Sequence, residues 1–384
     1  MSDPITTNGD RLAITAAAHT VVVKVGTRVL TLADGTLNYS RIERLAEEIH
    51  AVASAGRKVV LVSSGAVGAG MSLLKLTSRP TDLAKLQAVA AVGQAHLIQS
   101  YDRTFVKHGR RAAQVLLTAD DVSHRTRYLN VRNTLVSILE FGAVPVINEN
   151  DTVSVEELQT TFGDNDHLAA LVTNLIRAPL LVILSDIEGL YDGDPASDSS
   201  KLVSTVAKID DTILGYVRDK KTGLSKGGMA SKLAAARMVT SAGENMIVAS
   251  GRQEDVLIRI MAGEEIGTLF KARGKGVSHY KRWLSYSAPA KGQIHLDSGA
   301  RRAIVEQGKS LLAAGIAKCE GEFRKGDLVS LCDEKGSVVA RGLTNYASDD
   351  VTRIMGLKSS KIAQVLGICP YQEVIHRDNL AVVE

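Results

Sequence analysis

Short apolar runs rich in β-branched residues recur from Thr20 to Phe270, each ending at a small or polar turn and followed by a helix-length segment. Strands that are apolar on both faces cannot lie at a surface, so the alternation calls for a mostly parallel sheet sandwiched by helices, an α/β fold. The strands read as Thr20–Val25, Lys58–Val62, Gln114–Leu117, Val144–Ile147, Leu180–Leu184 and Met246–Ala249. Arg41–Ala55 places Ile42, Leu45, Ala46, Ile49 and Val52 on one helical face, with Gly56 as its C-cap. Further helices are predicted over Thr81–His108, Arg125–Phe141, Asp166–Arg177 and Gly228–Ser241.

After Phe270 the pattern changes. Lys271–Arg282 holds five basic and no acidic residues, and the segments beyond it are short and strand-rich. Leu328–Cys332 and Val338–Arg341 flank the turn Asp333–Gly336, a predicted hairpin. Short helices are predicted near Gly299–Glu306, Ser348–Met355 and Ser360–Leu366. The chain of 384 residues therefore divides into an N-terminal tail (1–18), a catalytic α/β domain (19–270), a linker (271–288), a small α+β, β-rich domain (289–372) and a C-terminal tail (373–384). Trp283, the single tryptophan, is expected to be buried at the domain junction.

Composition narrows the function classes. Forty-six basic against 42 acidic residues give a net charge of +4, too balanced to announce a nucleic-acid binder. No apolar run approaches the roughly 18 residues that span a bilayer, and Met1–Asp10 lacks a signal-peptide pattern. A cytoplasmic protein without a membrane partner is expected. Three cysteines, all in the last quarter and none as C-x-x-C, argue against a disulfide framework or zinc cluster. The nine histidines are scattered without metal spacing; His124 and His167 lie near motifs and read as packing or capping.

The chemistry must reside in the turns. There is no G-x-x-x-x-G-K-[ST], no strand followed by G-x-G-x-x-G, no G-x-S-x-G and no H-E-x-x-H. Six other turns carry polar or small groups. Lys24–Thr27 ends the first strand with a lysine beside a glycine turn, either a phosphate contact or an ordinary edge lysine. Ser63–Ala66, with Gly68 and Gly70, either lets a ligand approach the backbone or makes a tight strand–helix turn. Asn148–Asp151 follows a strand, where ligand crevices of open α/β sheets lie. Gly163–Asp166 opens a helix with more polar groups than a cap needs. Ser185–Asp186 ends a fifth strand. Lys226–Met229, with Lys232, opens a helix with two glycines and a cation, an anion cradle.

In that order, KVGTRVL, VSSGAVGAG, VPVINEND, GDND, LSDIEGLY and GGMASK resemble the amino-acid kinase superfamily. Within it, HRTRYLNVRNTLVSILEFGAVPVINEND (His124–Asp151) is similar to the glutamate 5-kinase family, which phosphorylates the side-chain carboxylate of L-glutamate to open proline biosynthesis. The resemblance covers about residues 18–270, and the small domain resembles a PUA domain, an RNA-associated module. It implies that Lys24 and Lys232 contact the transferring phosphoryl group while Asp166 orients both. Ser64, with Gly65, Asp151 and Asn165, would hold glutamate. Lys24, Ser185, Asp186 and the stretch Lys226, Gly227, Gly228, Met229, Ala230, Ser231 and Lys232 would bind ATP, with Mg²⁺ on its phosphates rather than on a protein site. Lys226 stands where the family often has a small hydroxyl residue. The resemblance also implies feedback inhibition by proline. Thr152–Gly163, polar and long for a connection inside an α/β domain, is expected to close over glutamate and to rearrange with proline, and a homo-oligomer is expected.

The residues agree with that chemistry. A carboxylate nucleophile, with a reference pKa of about 4.3, is already ionised near neutral pH and needs no general base. Charge neutralisation and in-line positioning are what remain. Two rivals stay open. A sister kinase would act on N-acetylglutamate, aspartate, carbamate or a nucleoside monophosphate; Asp151 suits a free α-ammonium better than an acetylated one. An RNA-associated protein would act through the small domain, although Pro289–Glu384 carries 13 basic and 12 acidic residues, which leaves RNA binding open without indicating it.

Overall fold

The computed structural model describes residues 8–123, 125–153, 165–197, 199–217, 227–273, 284, 289–369 and 371–383. Trp283, Lys226 and most of Thr152–Gly163 lie outside them. The chain divides into two compact units, Met1–Asp121 with Tyr128–Gly276, and Val122–Arg127 with Val277–Glu384.

Eight strands form the sheet of the first unit: β1 (Thr20–Val25), β2 (Lys58–Ser63), β3 (Ala112–Leu117), β4 (Val144–Glu149), β5 (Leu180–Ser185), β6 (Thr205–Val206), β7 (Asn245–Ser250) and β8 (Thr268–Phe270). Their order is β3-β4-β2-β1-β5-β7-β8-β6. Every pairing is parallel except β7–β8. The expected parallel core is present, and the antiparallel edge is an addition the short runs at 205–206 and 268–270 did not announce. β1, β4 and β5 are buried at every residue. Each fully buried Val, Ile or Leu side chain contributes about 1.5–3 kcal/mol, so the central strands stay registered against one another.

The predicted helices appear at Tyr39–Ser54, Leu83–Lys107, Arg125–Glu140, Asn165–Ile176 and Gly227–Ser241. Asn38 caps the first through its side chain, and Asp82 caps the second. The segment expected as an N-terminal tail is structured from Asn8, as a helix over Asn8–Ala17. Its Arg11 is 4% exposed and donates to the carbonyls of Ile266 (2.7 Å), Ser204 (2.6 Å) and Gly267 (2.9 Å). Burial works to lower the Arg11 pKa, against the charge of Glu265.

Helices Ala66–Leu73 and Leu83–Lys107 touch backbone to backbone. A Cβ at Gly70 would stand 1.9 Å from Val89 O, and one at Gly93 would stand 1.9 Å from Ala66 O. Gly70, which the sequence left open between ligand approach and a tight turn, is therefore a helix-packing residue.

The second unit holds a five-stranded sheet of order β11-β9-β12-β13-β15, from β9 (Gly292–Leu296), β11 (Ile316–Glu320), β12 (Leu328–Cys332), β13 (Val338–Leu343) and β15 (Leu380–Val382). The predicted hairpin is the antiparallel pair β12–β13. β10 (Leu311–Leu312) pairs with β14 (Glu373–Ile375). Residues beyond 372 thus form strands rather than a tail, because Val374, Ile375, Leu380 and Ala381 are buried.

Candidate active site

The chain leaves β1 toward β2 on one side and leaves β5 toward β6 on the other, so the connections diverge between two adjacent parallel strands. Such divergence opens a crevice at the strands' carboxyl ends. A cleft of about 1550 Å³ occupies that place. Lys24, Ser64, Asn148, Asp151, Asn165, Asp166, Ser185 and Lys232 all line it.

Three of these residues form an ion triad. Asp166 is the second residue of helix Asn165–Ile176, where the helix dipole favours a carboxylate. Lys24 Nζ lies 2.7 Å from Asp166 Oδ1. Lys232 Nζ donates to Asp166 Oδ2 at 3.0 Å and to Gly228 O at 3.3 Å. Exposures of 6%, 2% and 7% for Lys24, Asp166 and Lys232 keep water from screening the charges. Burial acts to raise the Asp166 pKa, but the two ammonium charges outweigh it and the net shift is downward. Two cations on one carboxylate leave an excess positive charge at the cleft.

Beside the triad runs a chain of neutral groups. Asn165 Nδ2 donates to Ser64 Oγ at 2.9 Å and to Asn148 Oδ1 at 3.2 Å. Asn148 Nδ2 donates in turn to Gln94 Oε1 at 2.9 Å. Asn165 Oδ1 is buried without a hydrogen-bond partner among the described residues. Gly65 takes a positive φ of 112° where the chain turns from β2 into the next helix, a conformation that favours glycine. Asp151 lines the same end of the cleft. Burial pushes its carboxyl up to about 6, neighbouring Glu149 adds to the rise, and Arg79 opposes it.

On the β5 side Ser185 Oγ donates to Asp186 Oδ1 at 3.2 Å, and Arg28 Nη1 donates to Asp186 Oδ2 at 3.1 Å. Burial raises the Asp186 pKa, but these bonds outweigh it and the carboxyl is held below its ordinary value.

Residues 19–250 match the amino acid kinase family, and residues 292–366 match the PUA domain. The chain belongs to the amino acid kinase family. It is 49% identical over 360 residues to the glutamate 5-kinase of Rhodopirellula baltica, covering 94% of this chain and 92% of that one. It is 46% identical over 365 residues to the glutamate 5-kinase of Caldanaerobacter subterraneus subsp. tengcongensis, covering 95% and 98%. Among solved structures, the carbamate kinase from Giardia lamblia bound to AMP-PNP is similar over 67% of this chain and 100% of its own, at TM-score 0.46 and 20% identity.

In this member of the amino acid kinase family, Gly228, Met229, Ser231 and Lys232 line the cleft. Ala230 does not. It faces a separate hollow of about 180 Å³ with Ile209, Leu214, Val217 and Leu233. Gly227 opens its helix, and Lys226 lies outside the described residues. Three residues that the motifs did not single out belong here. Arg28 and Arg79 line the cleft, the first inside the quoted KVGTRVL and so within reach of a closer reading. Gln94 stands behind Asn148; its signal was a polar residue inside the buried stripe Leu86, Ala90, Gly93, Leu97, Tyr101.

Proposed function

We propose that this kinase transfers the γ-phosphoryl group of ATP to the side-chain carboxylate of L-glutamate, giving L-glutamyl 5-phosphate and ADP, the opening step of proline biosynthesis. The names of its relatives favour glutamate, and one observation carries the chemistry: two buried ammonium groups held by one buried carboxylate at the head of the cleft. A carboxylate oxygen of glutamate attacks the γ-phosphorus. The bond between that phosphorus and the β–γ bridging oxygen breaks, and ADP leaves with the electron pair. No proton moves, so no general base is required. Lys24 and Lys232 offset charge gathering on the transferred group, and Asp166 positions both without touching substrate.

Glutamate is held by Ser64, by the backbone at Gly65, and by Asn165 and Asp151, the last two facing its α-ammonium. Arg79 offers a cation for the α-carboxylate. Ser185, Asp186 and the helix start Gly227–Lys232 receive the nucleotide. Mg²⁺, bound with ATP, neutralises phosphate charge, and the ionised Asp186 carboxylate is a hard oxygen donor that fits such an ion. Proline carries the same α-ammonium and α-carboxylate without a nucleophile, and on this reading it competes at Asp151 and Asn165. A homo-oligomer is part of the same reading. Among the described residues, no helix is long and apolar enough to cross a membrane.

The test is ADP release coupled to an indicator reaction, with a panel of free and acylated amino acids. Glutamate has the highest kcat/KM. Faster turnover of N-acetylglutamate or aspartate would instead assign the chain to a sister activity.

A further inference from the structure

We infer that Arg28 is a phosphate-binding residue of the nucleotide site, and that its ion pair with Asp186 holds it beside the path of the phosphate chain. The inference rests on the proposed nucleotide site and adds to it a residue to which the sequence gave no role.

The place of Arg28 follows from its neighbours. It lies in the one-turn helix Thr27–Leu30, directly after the turn at Gly26 that ends β1. Val29 and Leu30 of the same turn are buried. Val29 stands so close to Gly251 that a Cβ there would come within 2.8 Å of Val29 Cγ1. The backbone of the turn is thus pinned on one side, while the Arg28 side chain is 67% exposed and lines the cleft on the other. Its Nη1 donates to Asp186 Oδ2 at 3.1 Å. β1 and β5 are adjacent, and Gly26 N donates to Leu184 O at 3.0 Å where they end. Arg28 therefore bridges the seam between the strand that carries Lys24 and the strand that carries Ser185.

On the proposed reading a phosphate chain runs along that seam. The nucleotide is received at Ser185 and Asp186 and delivers its terminal phosphoryl group to Lys24 and Lys232, and all four side chains line one cleft with Arg28. The charges of Lys24, Lys232, Asp166 and Asp186 cancel, so the positive excess among these groups is supplied by Arg28. A polyanion passing the Asp186 carboxylate needs that excess. A guanidinium also presents a planar fork that matches two phosphate oxygens, which an ammonium does not. An exposed ion pair contributes little to stability, so the link to Asp186 places the guanidinium without committing it there.

The test is binding of ATP, ADP and adenosine to the full-length enzyme, by isothermal titration calorimetry in buffer with Mg²⁺. Arg28→Ala should weaken ATP and ADP about tenfold, the effect of one charge-assisted hydrogen bond, and leave adenosine within about twofold. In an Asp186→Asn background the same substitution should still weaken ATP at least about fivefold, because the contact is to phosphate and not through the carboxylate. Unchanged ATP affinity in Arg28→Ala overturns the inference. So does an equal loss for adenosine, which would mark Arg28 as a support for the shape of the site. A loss that vanishes in the Asp186→Asn background overturns it as well, since Arg28 would then only neutralise Asp186. Where Arg28→Ala does not fold, Arg28→Gln is read in the same way. Wild-type enzyme that binds no ATP is seen before any variant is measured and overturns the nucleotide site itself.

Discussion

The two ends of the cleft solve opposite problems. At the transfer end, Lys24 and Lys232 share Asp166 and keep one positive charge in excess. At the recognition end, Asn165 Oδ1 has no partner among the described residues and Asp151 is raised toward protonation. On the proposed reaction, a triad already assembled needs little reorganisation when the phosphoryl group arrives, which is what electrostatic catalysis requires. An under-satisfied pocket gains most when a complementary ligand fills it, which is what selectivity requires. The same buried cleft therefore separates rate from choice, and substitutions at the two ends should separate kcat from KM.

The largest effect is expected at the transfer end. Lys24→Ala and Lys232→Ala should each lower kcat by about 10²–10³-fold, roughly 3–4 kcal/mol of barrier, with a folded protein by circular dichroism. Near-normal turnover in either would break the comparison at its stronger half. Asp166→Asn should cost both activity and stability, since it leaves two buried ammonium groups without their anion; uncompensated buried charge costs about 3–5 kcal/mol. A variant with unchanged Tm would mean the lysines are held apart by other groups.

At the recognition end, Asp151→Asn should raise the KM for glutamate at least tenfold and leave that for ATP unchanged, because one charge contact to the α-ammonium is lost. An ATP-specific defect would move Asp151 to the other end. The same carboxyl predicts a pH profile. Its pKa is near 6, so the anion is present above that and lost as pH falls. The kcat/KM for glutamate should then fall about tenfold per unit below pH 6, while Asp151→Asn is flat there. A raised carboxyl also opposes folding once ionised. Asp151→Asn should accordingly raise Tm at pH 7.5 and lose that gain as pH falls through 6 toward 4, which a pair of melts measures.

The smallest effect is expected from cutting the chain near Arg273. Both ends of the cleft are built before that point, so kcat should change by less than about threefold. Complete loss of activity in a folded truncation would show that the cleft is not self-sufficient.

Much of this was legible beforehand for a definite reason. Strands buried on both faces, such as LLVIL, leave no doubt about their environment, and turns at their carboxyl ends must hold any ligand groups. Lys24, Ser64, Asp151, Ser185 and Asp186 were singled out at such turns, and Asn165, Asp166 and Lys232 at helix starts; all eight line the cleft. Gln94 was not, because its meaning lies in a partner 54 positions away that no local pattern reveals. Ala230 was grouped with its helix neighbours, yet the rotation of about 100° per residue turns it from the cleft. The helix at Asn8–Ala17 and the strands after residue 372 were missed because they are short and bear no motif. Their order comes from distant contacts rather than local propensity.

The helix at Asn8–Ala17 has a practical consequence. It invites deletion, since no cleft group comes from it, yet Arg11 closes three carbonyls from two separate stretches of the sheet's edge. A protein begun at residue 18 would retain every cleft group while its far margin frayed. Proteases should then nick it around Ser204 and Gly267 long before turnover declined. Loss of the first helix would thus register as a shortened shelf life in a fully active enzyme.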